Sequence, residues 1–378
     1  MIATPFKIAV SAEAMDELKQ RLAHVRWPDA IAGSGWTYGV DLPYLRELCS
    51  YWQNQFDWRA QERSLDQLPQ YRMNVNGYDI HFVHVKGKGP NPLPLLITHG
   101  WPSSFAEFGK LIPLLTDPAA HGGLAGDSFD VIAPSLPGYG FSGRPILAGT
   151  TPASTAELWL ALMRALGYER FVAHGGDIGA RVTHQLGRTG DDHVEAIHVM
   201  SPPYEIDTAR TPLSEAERQY VSVLNEWDRD EGAYEHEQRT RPQTLSYALN
   251  DSPSGLAGWI VEKWRAWSDC NGDIESRFSK DELLTNISIY WFTQTIGSSV
   301  RMYYDSAHAR QAKLFRLDTP TRLFLTREKV NLCPREWAER SYANLSYGLA
   351  ARGGHFLAAE EPELLAADLR GWFRHFCS

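Results

Sequence analysis

The spacing of apolar and polar positions divides the chain into three kinds of segment. Residues 12–26 and 43–56 place apolar side chains every three to four positions, which predicts two amphipathic helices. Between residues 71 and 200, short apolar runs alternate with segments of helical spacing. Between about residues 202 and 314 the apolar runs stop, and the pattern is helical and dense in Trp and Tyr. The sequence therefore predicts an α/β core that is interrupted by a helical insertion.

The strands of that core are predicted from the apolar runs and from the turn residues that end them. The predicted strand segments are a hairpin over 71–85 that turns at Asn76-Gly77, then 93–98, 129–133, 171–173, 196–200, 321–326 and 346–350. The predicted core helices are one near Ser103, then 155–166, 180–186 and 363–376. Strands alternating with helices in this way favour a parallel sheet with helices on both faces.

We predict four segments along the chain. They are an N-terminal extension (1–70), the first part of the core (71–203), a helical cap (204–313) and the second part of the core (314–378). The sequence leaves open whether the apolar extension packs on its own domain or on a second subunit of a homodimer.

One Gly-rich stretch stands between a predicted strand and a predicted helix. In His174-Gly175-Gly176-Asp177-Ile178-Gly179, small residues stand two positions before and two positions after Asp177. This is the G-x-S-x-G elbow pattern with Asp in place of Ser, and it points the central side chain at the open edge of the sheet. The N–H of Ile178 would lie at a helix N-terminus, where it could stabilise an oxyanion. The alternative is an ordinary Gly-rich turn.

Two further residues follow late strands in the order that a nucleophile on an elbow needs. Glu328 follows the strand 321–326, and His355 follows Gly353-Gly354 after the last strand. Nucleophile, acid, histidine is the chain order of α/β-hydrolases, in which the acid fixes the tautomer of the imidazole. Taken singly, His355 could be a loop residue and Glu328 a surface charge. Asp318 is a competing acid, but it precedes its strand, whereas open α/β sheets place their sites at the carboxyl ends.

The early turn His99-Gly100-Trp101-Pro102 also follows a predicted strand. The N–H of Trp101 could join that of Ile178 in a two-donor oxyanion hole. The alternative is again an ordinary turn.

Composition narrows the function classes. The 378 residues carry a net charge of −9 without a basic cluster, which argues against binding to nucleic acid or to an anionic membrane. The four cysteines are scattered without a CxxC pair, which favours reduced thiols over a disulfide framework or a zinc site. The N-terminus has no signal-peptide pattern, so we expect a cytoplasmic protein. The sequence shows no cluster of metal ligands, and we expect neither a metal nor an organic cofactor.

With these motifs in place, the chain resembles the epoxide hydrolases of the microsomal type along nearly its whole length. The resemblance rests on Arg26-Trp27-Pro28-Asp29, Trp36-Thr37-Tyr38-Gly39-Val40, His99-Gly100-Trp101-Pro102, Gly175-Gly176-Asp177-Ile178-Gly179, Ala248-Leu249-Asn250-Asp251-Ser252-Pro253, Tyr290-Trp291-Phe292-Thr293 and Arg352-Gly353-Gly354-His355-Phe356. The membrane-bound relatives carry an N-terminal anchor helix that is not seen at the start of this sequence, so we expect a protein that resembles the soluble bacterial and fungal members. It departs from the family at Leu325-Thr326-Arg327-Glu328, where Phe-Pro-Lys-Glu is common.

The resemblance implies an α/β-hydrolase fold with a mostly parallel central sheet, a helical cap insertion and an N-terminal meander. It implies hydrolysis of a small hydrophobic epoxide to a vicinal diol through an ester on Asp177, with His355 as general base and Glu328 as relay acid. It further implies two proton-donating cap tyrosines, which map onto Tyr234 and Tyr303. Tyr204 and Tyr304 are neighbouring alternatives for these two.

Two other functions remain to be distinguished. A haloalkane or haloacid dehalogenase uses the same Asp-Glu-His chemistry, but haloalkane enzymes commonly place a halide-binding Trp directly after the nucleophile, where this chain has Ile178. A catalytically silent protein that sequesters a hydrophobic ligand is the other alternative, and turnover of a simple aryl epoxide would exclude it.

Overall fold

The apolar runs predicted as strands all lie in one sheet. The computed structural model describes residues 2–190, 192–202, 212–309 and 316–376. Within these residues nine strands pair in the order β1-β2-β3-β5-β4-β6-β7-β8-β9. The strands are β1 (Thr4–Phe6), β2 (Gln70–Val75), β3 (Tyr78–Val85), β4 (Leu93–Thr98), β5 (Phe129–Pro134), β6 (Phe171–Gly175), β7 (Val194–Val199), β8 (Thr321–Leu325) and β9 (Leu345–Leu349).

The sheet is mostly parallel, as predicted. From β5 through β4, β6, β7 and β8 to β9, each neighbouring pair is parallel. The strands β1, β2 and β3 extend the sheet beyond β5, and each of their pairings is antiparallel. The β2–β3 hairpin turns at Asn76 and Gly77, which both have positive φ, as the tight turn requires. The parallel strands therefore all present their carboxyl ends at one edge of the sheet.

Helices cover both faces of the sheet. In chain order they are α1 (Ala12–Ala23), α2 (Leu42–Asn54), α3 (Trp58–Leu65), α4 (Leu111–Thr116), α5 (Pro152–Ala165), α6 (Asp177–Thr189), α7 (Glu215–Asp230), α8 (Ala233–Thr240), α9 (Pro242–Asp251), α10 (Pro253–Trp267), α11 (Lys280–Thr293), α12 (Ile296–His308), α13 (Arg335–Glu339), α14 (Leu357–Glu360) and α15 (Pro362–Phe373). Successive residues of a strand point to opposite faces, so Leu96 of β4 packs in one apolar cluster with Trp159 of α5. Its neighbour Leu95 packs in the other cluster with Leu369 of α15. Burial on both faces explains why these strands are continuous apolar runs.

In the described part of the chain between β7 and β8, where the sequence predicts a helical cap, there are six α-helices, α7 to α12. The N-terminal helices support this insertion. Trp52 of α2 donates its indole N–H to Ser288 of α11 at 3.0 Å, and Arg21 of α1 pairs with Asp251 of α9 at 2.7 Å. The extension thus packs on its own chain. The predicted limits of the cap fall in 203–211 and 310–315, outside the described residues, and the four segment boundaries stay predictions.

Several elements differ from the prediction. Pattern reading missed β1 and α3. Helix α3 was not predicted because it buries a charged residue, Glu62, where the apolar pattern of a helix would have an apolar one. The Glu62 carboxylate accepts hydrogen bonds from the Trp58 indole and the Val10 N–H, both at 2.8 Å. The helix predicted near Ser103 is divided into a 3-10 turn over Phe105–Phe108 and the short α4. None of the helices in the described ranges is both long enough and apolar enough to cross a bilayer.

Candidate active site

The strand-to-helix turn at Asp177 is a tight elbow. Strand β6 ends at Gly175, Asp177 is already the first residue of α6, and its φ of +52° lies in the left-handed region. For a residue other than glycine this conformation costs roughly 1–2 kcal/mol. A Cβ on Gly175 would lie 2.3 Å from the backbone of Gly179, and one on Gly179 would lie 1.9 Å from the carbonyl oxygen of Thr98. The small residues on either side of Asp177 are therefore a steric requirement of the turn.

This requirement gives a stability prediction. We expect Gly179→Ala to destabilise the protein by about 3 kcal/mol, because its methyl group must displace the backbone of β4 rather than a flexible side chain. Gly371→Ala is the matched control, since a Cβ there meets no atom within 4 Å in α15, and it should stabilise by about 0.5–1 kcal/mol. Urea unfolding of the two variants measures both effects. Equal stabilities would contradict the steric account.

The carboxylate of Asp177 lies against a backbone donor from the neighbouring strand. The N–H of Trp101 donates to Asp177 Oδ1 at 2.9 Å. The N–H of Asp177 itself donates to Ser201 Oγ, just past β7, at 3.0 Å. Ile178 is the second residue of α6, and the first N–H groups of a helix have no partner within the helix. Trp101 thus contacts the carboxylate directly, and the N–H of Ile178 stays a predicted second donor.

The turn that carries Trp101 is held in place by buried polar groups. His99 Nε2 accepts the N–H of Leu136 at 3.2 Å, and its Nδ1 lies 3.0 Å from the Gly100 carbonyl oxygen. Burial lowers the pKa of His99 to about 4, so the ring is neutral and Nδ1 is the donor. From α11, Asn286 donates to the Pro102 carbonyl and the Tyr290 hydroxyl to that of Ser103, both at 2.7 Å. The backbone donor of Trp101 is therefore rigidly placed.

His355 and Glu328 meet at the same edge of the sheet. His355 Nδ1 lies 2.8 Å from Glu328 Oε2, and His355 Nε2 lies 3.6 Å from Asp177 Oδ2. Asn331, three residues after Glu328, donates to the same Oε2 at 2.9 Å and to Thr326 Oγ1 at 2.9 Å. Asp177, His355 and Glu328 expose 20%, 13% and 9% of their side chains. Three largely buried groups are thus aligned carboxylate, imidazole, carboxylate.

The two carboxylates control the charge of the imidazole. Burial alone would lower the pKa of His355, but the negative charge of Glu328, its hydrogen bond and the charge of Asp177 together raise that pKa to about 9. At neutral pH the free protein therefore holds an imidazolium between two carboxylates. Removing the charge of Asp177 would lower the pKa of His355, and His355 would then lose its proton more easily and become the neutral base.

The loop of His355 is fastened to the end of α10. The N–H of His355 donates to the Trp267 carbonyl at 2.8 Å. The Glu360 carboxylate accepts N–H groups from Gly354 at 2.9 Å, Phe356 at 3.0 Å and Asp269 at 2.8 Å. A Cβ on Gly354 would lie 2.4 Å from the Trp267 oxygen, so glycine allows this close approach. The inserted helices and the core thus position His355 jointly.

The two tyrosines taken from the resemblance come together over Trp101. Tyr234 of α8 stacks on the Trp101 ring at 5.3 Å between ring centroids, and Tyr303 of α12 meets the same ring edge-on at 6.0 Å. The two tyrosine rings are 6.2 Å apart. Burial raises the pKa of Tyr234 and of Tyr303 well above the usual value, and the charge of Asp177 adds to both shifts. Both phenols are neutral hydrogen-bond donors at any ordinary pH.

The alternatives from the sequence lie elsewhere. Asp318 is exposed before β8, at the opposite edge of the sheet from Asp177. Tyr304 is 39% exposed and stacks on His308. Tyr204 lies outside the described residues.

Sequence reasoning missed several residues of the site. Ser201 and Asn331 contact Asp177 and Glu328, and Glu107 lines a small cavity beside Asp177 and His355. The sequence signal for Asn331 was its position three residues after Glu328. In the structure one 3-10 turn brings the two residues together. For Ser201, the only sequence signal was its position after a predicted strand.

Comparison with known proteins identifies the family of the chain. The family model described as "Epoxide hydrolase N terminus" matches residues 3–108, and the one described as "alpha/beta hydrolase fold" matches residues 94–252. A relative from Stigmatella aurantiaca that is provisionally named an epoxide hydrolase is 45% identical, over 98% of this chain and 84% of the relative's own length. The pig protein named Epoxide hydrolase 1 is 38% identical over 97% of this chain and 87% of its own.

Solved structures agree as well. The juvenile hormone epoxide hydrolase of the silkworm Bombyx mori superposes with a TM-score of 0.91 at 29% identity, covering 100% of this chain and 96% of that chain. The epoxide hydrolase of Aspergillus niger superposes with a TM-score of 0.85 at 28% identity, covering 99% and 97%. The predicted fold class and the resemblance are confirmed, and the chain belongs to the epoxide hydrolase family of α/β-hydrolase enzymes.

Proposed function

We propose that the protein hydrolyses a small hydrophobic epoxide to a vicinal diol through a covalent ester on Asp177. The observation that carries the proposal is the set of groups around one carboxylate. Asp177 has a backbone donor on Oδ1 and an imidazole 3.6 Å from Oδ2, and two neutral phenols pack against the Trp101 ring next to it. A nucleophile, a base and two acids are the groups that a two-step ring opening needs.

In the first step, Oδ2 of Asp177 attacks one epoxide carbon. The C–O bond of the ring breaks, and its electron pair goes to the epoxide oxygen, which takes a proton from Tyr234 or Tyr303. The carboxylate is already anionic and needs no base for this attack. The product is a hydroxyalkyl ester of Asp177 together with one tyrosinate.

In the second step, water is added to the ester carbonyl carbon. His355 takes a proton from the water as its oxygen bonds to Cγ, and the carbonyl electron pair moves to Oδ1, where the Trp101 N–H donates to it. The oxyanion then re-forms the carbonyl and expels the diol oxygen, which takes the proton from His355. Asp177 leaves as a carboxylic acid whose proton returns to the tyrosinate, so the enzyme is restored.

A single turnover in ¹⁸O-labelled water tests the proposal, with styrene oxide as the substrate and protein in excess. We expect unlabelled diol and one ¹⁸O atom in the Asp177 peptide, because the diol oxygen comes from the carboxylate. Labelled diol with an unlabelled Asp177 peptide would mean direct attack by water and would contradict the proposal. Absence of diol from styrene oxide and from bulkier aryl epoxides would contradict it as well.

The charge of Glu328 gives a pH prediction for the second step. Ester hydrolysis needs neutral His355, so its rate rises as pH passes upward through the pKa of His355. Because Glu328 raises that pKa, Glu328→Gln should move the rising limb toward lower pH, by about one unit or more. The plateau should fall about 10²–10⁴-fold, because the imidazolium formed in the reaction loses its carboxylate partner.

Stopped-flow measurement of ester decay across pH 5.5 to pH 9.5, an interval of about four units that spans the pKa range of histidine, resolves both changes. Glu339→Gln, a half-exposed carboxylate of α13 paired with Arg335, is the matched control and should leave the profile unchanged. A limb that moves toward higher pH in Glu328→Gln would contradict the account.

A further inference from the structure

A small cavity lies beside Asp177, away from the two tyrosines. Its volume is about 10 Å³, and among the described residues its walls include Asp177, His355, Ser103, Glu107, Met200 and Phe356. Trp101, Tyr234 and Tyr303 do not line it. The cavity is therefore separate from the place where the phenols would hold an epoxide oxygen, yet it reaches both the nucleophile and the base.

The size and the walls of this cavity suit one water molecule. A site for a single water needs roughly 10–15 Å³ of accessible space and about two to four polar partners. The cavity offers the imidazole of His355 and the carboxylate of Glu107 as partners, and Met200 and Phe356 close it with apolar surface. A water between these groups would lie next to the Asp177 carboxyl carbon.

The backbone that carries Glu107 is fixed in place. Glu107 belongs to the 3-10 turn Phe105–Phe108, which directly follows the turn with Trp101. The Tyr290 hydroxyl holds the Ser103 carbonyl, and Phe105 is buried in the core. Glu107 is thus placed by the same rigid segment that supplies the oxyanion donor.

Opposing effects place the pKa of Glu107 near neutrality. Burial raises the pKa of Glu107 to about 7, while a hydrogen bond from Ser103 and the charge of His355 lower it, and the carboxylates of Asp177 and Glu360 raise it. Esterification removes the negative charge of Asp177. This takes away one charge that raises the pKa of Glu107, while the loss of the proton from His355 takes away one that lowers it. The two changes oppose each other, so the carboxylate form of Glu107 stays accessible near neutral pH when water must be activated.

We propose that Glu107 and His355 together bind the hydrolytic water in this cavity, which makes Glu107 a further catalytic residue of the second step. The inference rests on the ester mechanism proposed above. One hydrogen of the water goes to His355 Nε2 as a proton, while the other stays on the water oxygen and donates a hydrogen bond to Glu107. These two contacts direct an oxygen lone pair at Cγ of Asp177, and no proton leaves through Glu107.

The test separates ester formation from ester hydrolysis. Wild type, Glu107→Gln and Glu107→Asp are mixed with excess styrene oxide, and quench-flow with mass analysis follows the Asp177 ester. We expect Glu107→Gln to form the ester within about threefold of the wild-type rate and to hydrolyse it about 10–100-fold more slowly, since an amide is a weaker acceptor than a carboxylate. Glu107→Asp should recover part of the hydrolysis rate and retain a pH-dependent limb that Glu107→Gln loses.

Several controls keep the outcome decisive. Glu363→Gln, an exposed residue of α15, should leave both rates unchanged. Equal slowing of both steps in Glu107→Gln would show a merely structural role and overturn the inference, as would unchanged rates. If Glu107→Gln fails to fold, judged by its thermal melt, the split between the two rates is read from Glu107→Asp. Wild type that forms no Asp177 ester would instead refute the ester mechanism itself.

Discussion

Asp177→Ala is expected to lose at least about 10⁴-fold in kcat with an aryl epoxide, because the variant removes the proposed nucleophile, the atom that would form the covalent bond. The groups left behind cannot replace it. His355 would have to activate water against the epoxide directly, and no oxyanion would form for the Trp101 N–H to stabilise. Steady-state diol formation measures the loss, and mass analysis should find no ester on the protein.

The fold should survive this substitution. Asp177 occupies a left-handed conformation at the start of α6, and Ala removes a largely buried carboxylate without adding bulk. We therefore expect a melting temperature within a few degrees of wild type. Asp318→Asn is the matched control, since it changes an exposed carboxylate at the opposite edge of the sheet and should leave kcat unchanged. Asp177→Ala with more than about a hundredth of wild-type activity would contradict the nucleophile assignment.

The same groups show how far the sequence could go. Asp177, Glu328 and His355 could be predicted because each follows a strand of a parallel sheet, and the carboxyl ends of such strands share one edge. The glycines around Asp177 predicted a tight turn that has no room for larger side chains. The structure shows the backbone atoms that a Cβ at these positions would meet. Short spacing rules were sufficient for these residues.

The cap tyrosines were beyond such rules. Helical spacing in α8 and α12 predicts helices but does not say which face meets Trp101, so Tyr234 and Tyr303 came only from the resemblance. The cavity beside Asp177 could not be predicted from the sequence at all. Its walls come from the turn after β4, from Met200 after β7 and from Phe356 after β9, and only the packed fold brings them together.

His355→Gln should convert the enzyme into one that stops at the ester. In the proposed mechanism, attack by Asp177 on the epoxide uses its own negative charge and the protons of the tyrosines, so the first step does not need the imidazole. Hydrolysis does need it, because water must lose a proton as it attacks Cγ, and Gln cannot accept one. We expect the protein to gain the mass of one substrate molecule on the Asp177 peptide, with ester decay slowed by at least about 10³-fold.

In the proposed mechanism, the charges around His355 link the two steps in the wild type. In the free protein His355 is an imidazolium between Asp177 and Glu328, and ester formation removes one of these two negative charges. The base is thus released by the first step at the moment the second step requires it. His24→Gln, an exposed residue at the end of α1, is the control and should hydrolyse its ester at the wild-type rate. Rapid diol release by His355→Gln would mean that another group activates the water, and Glu107 would then be the base to examine, because its carboxylate lines the same cavity.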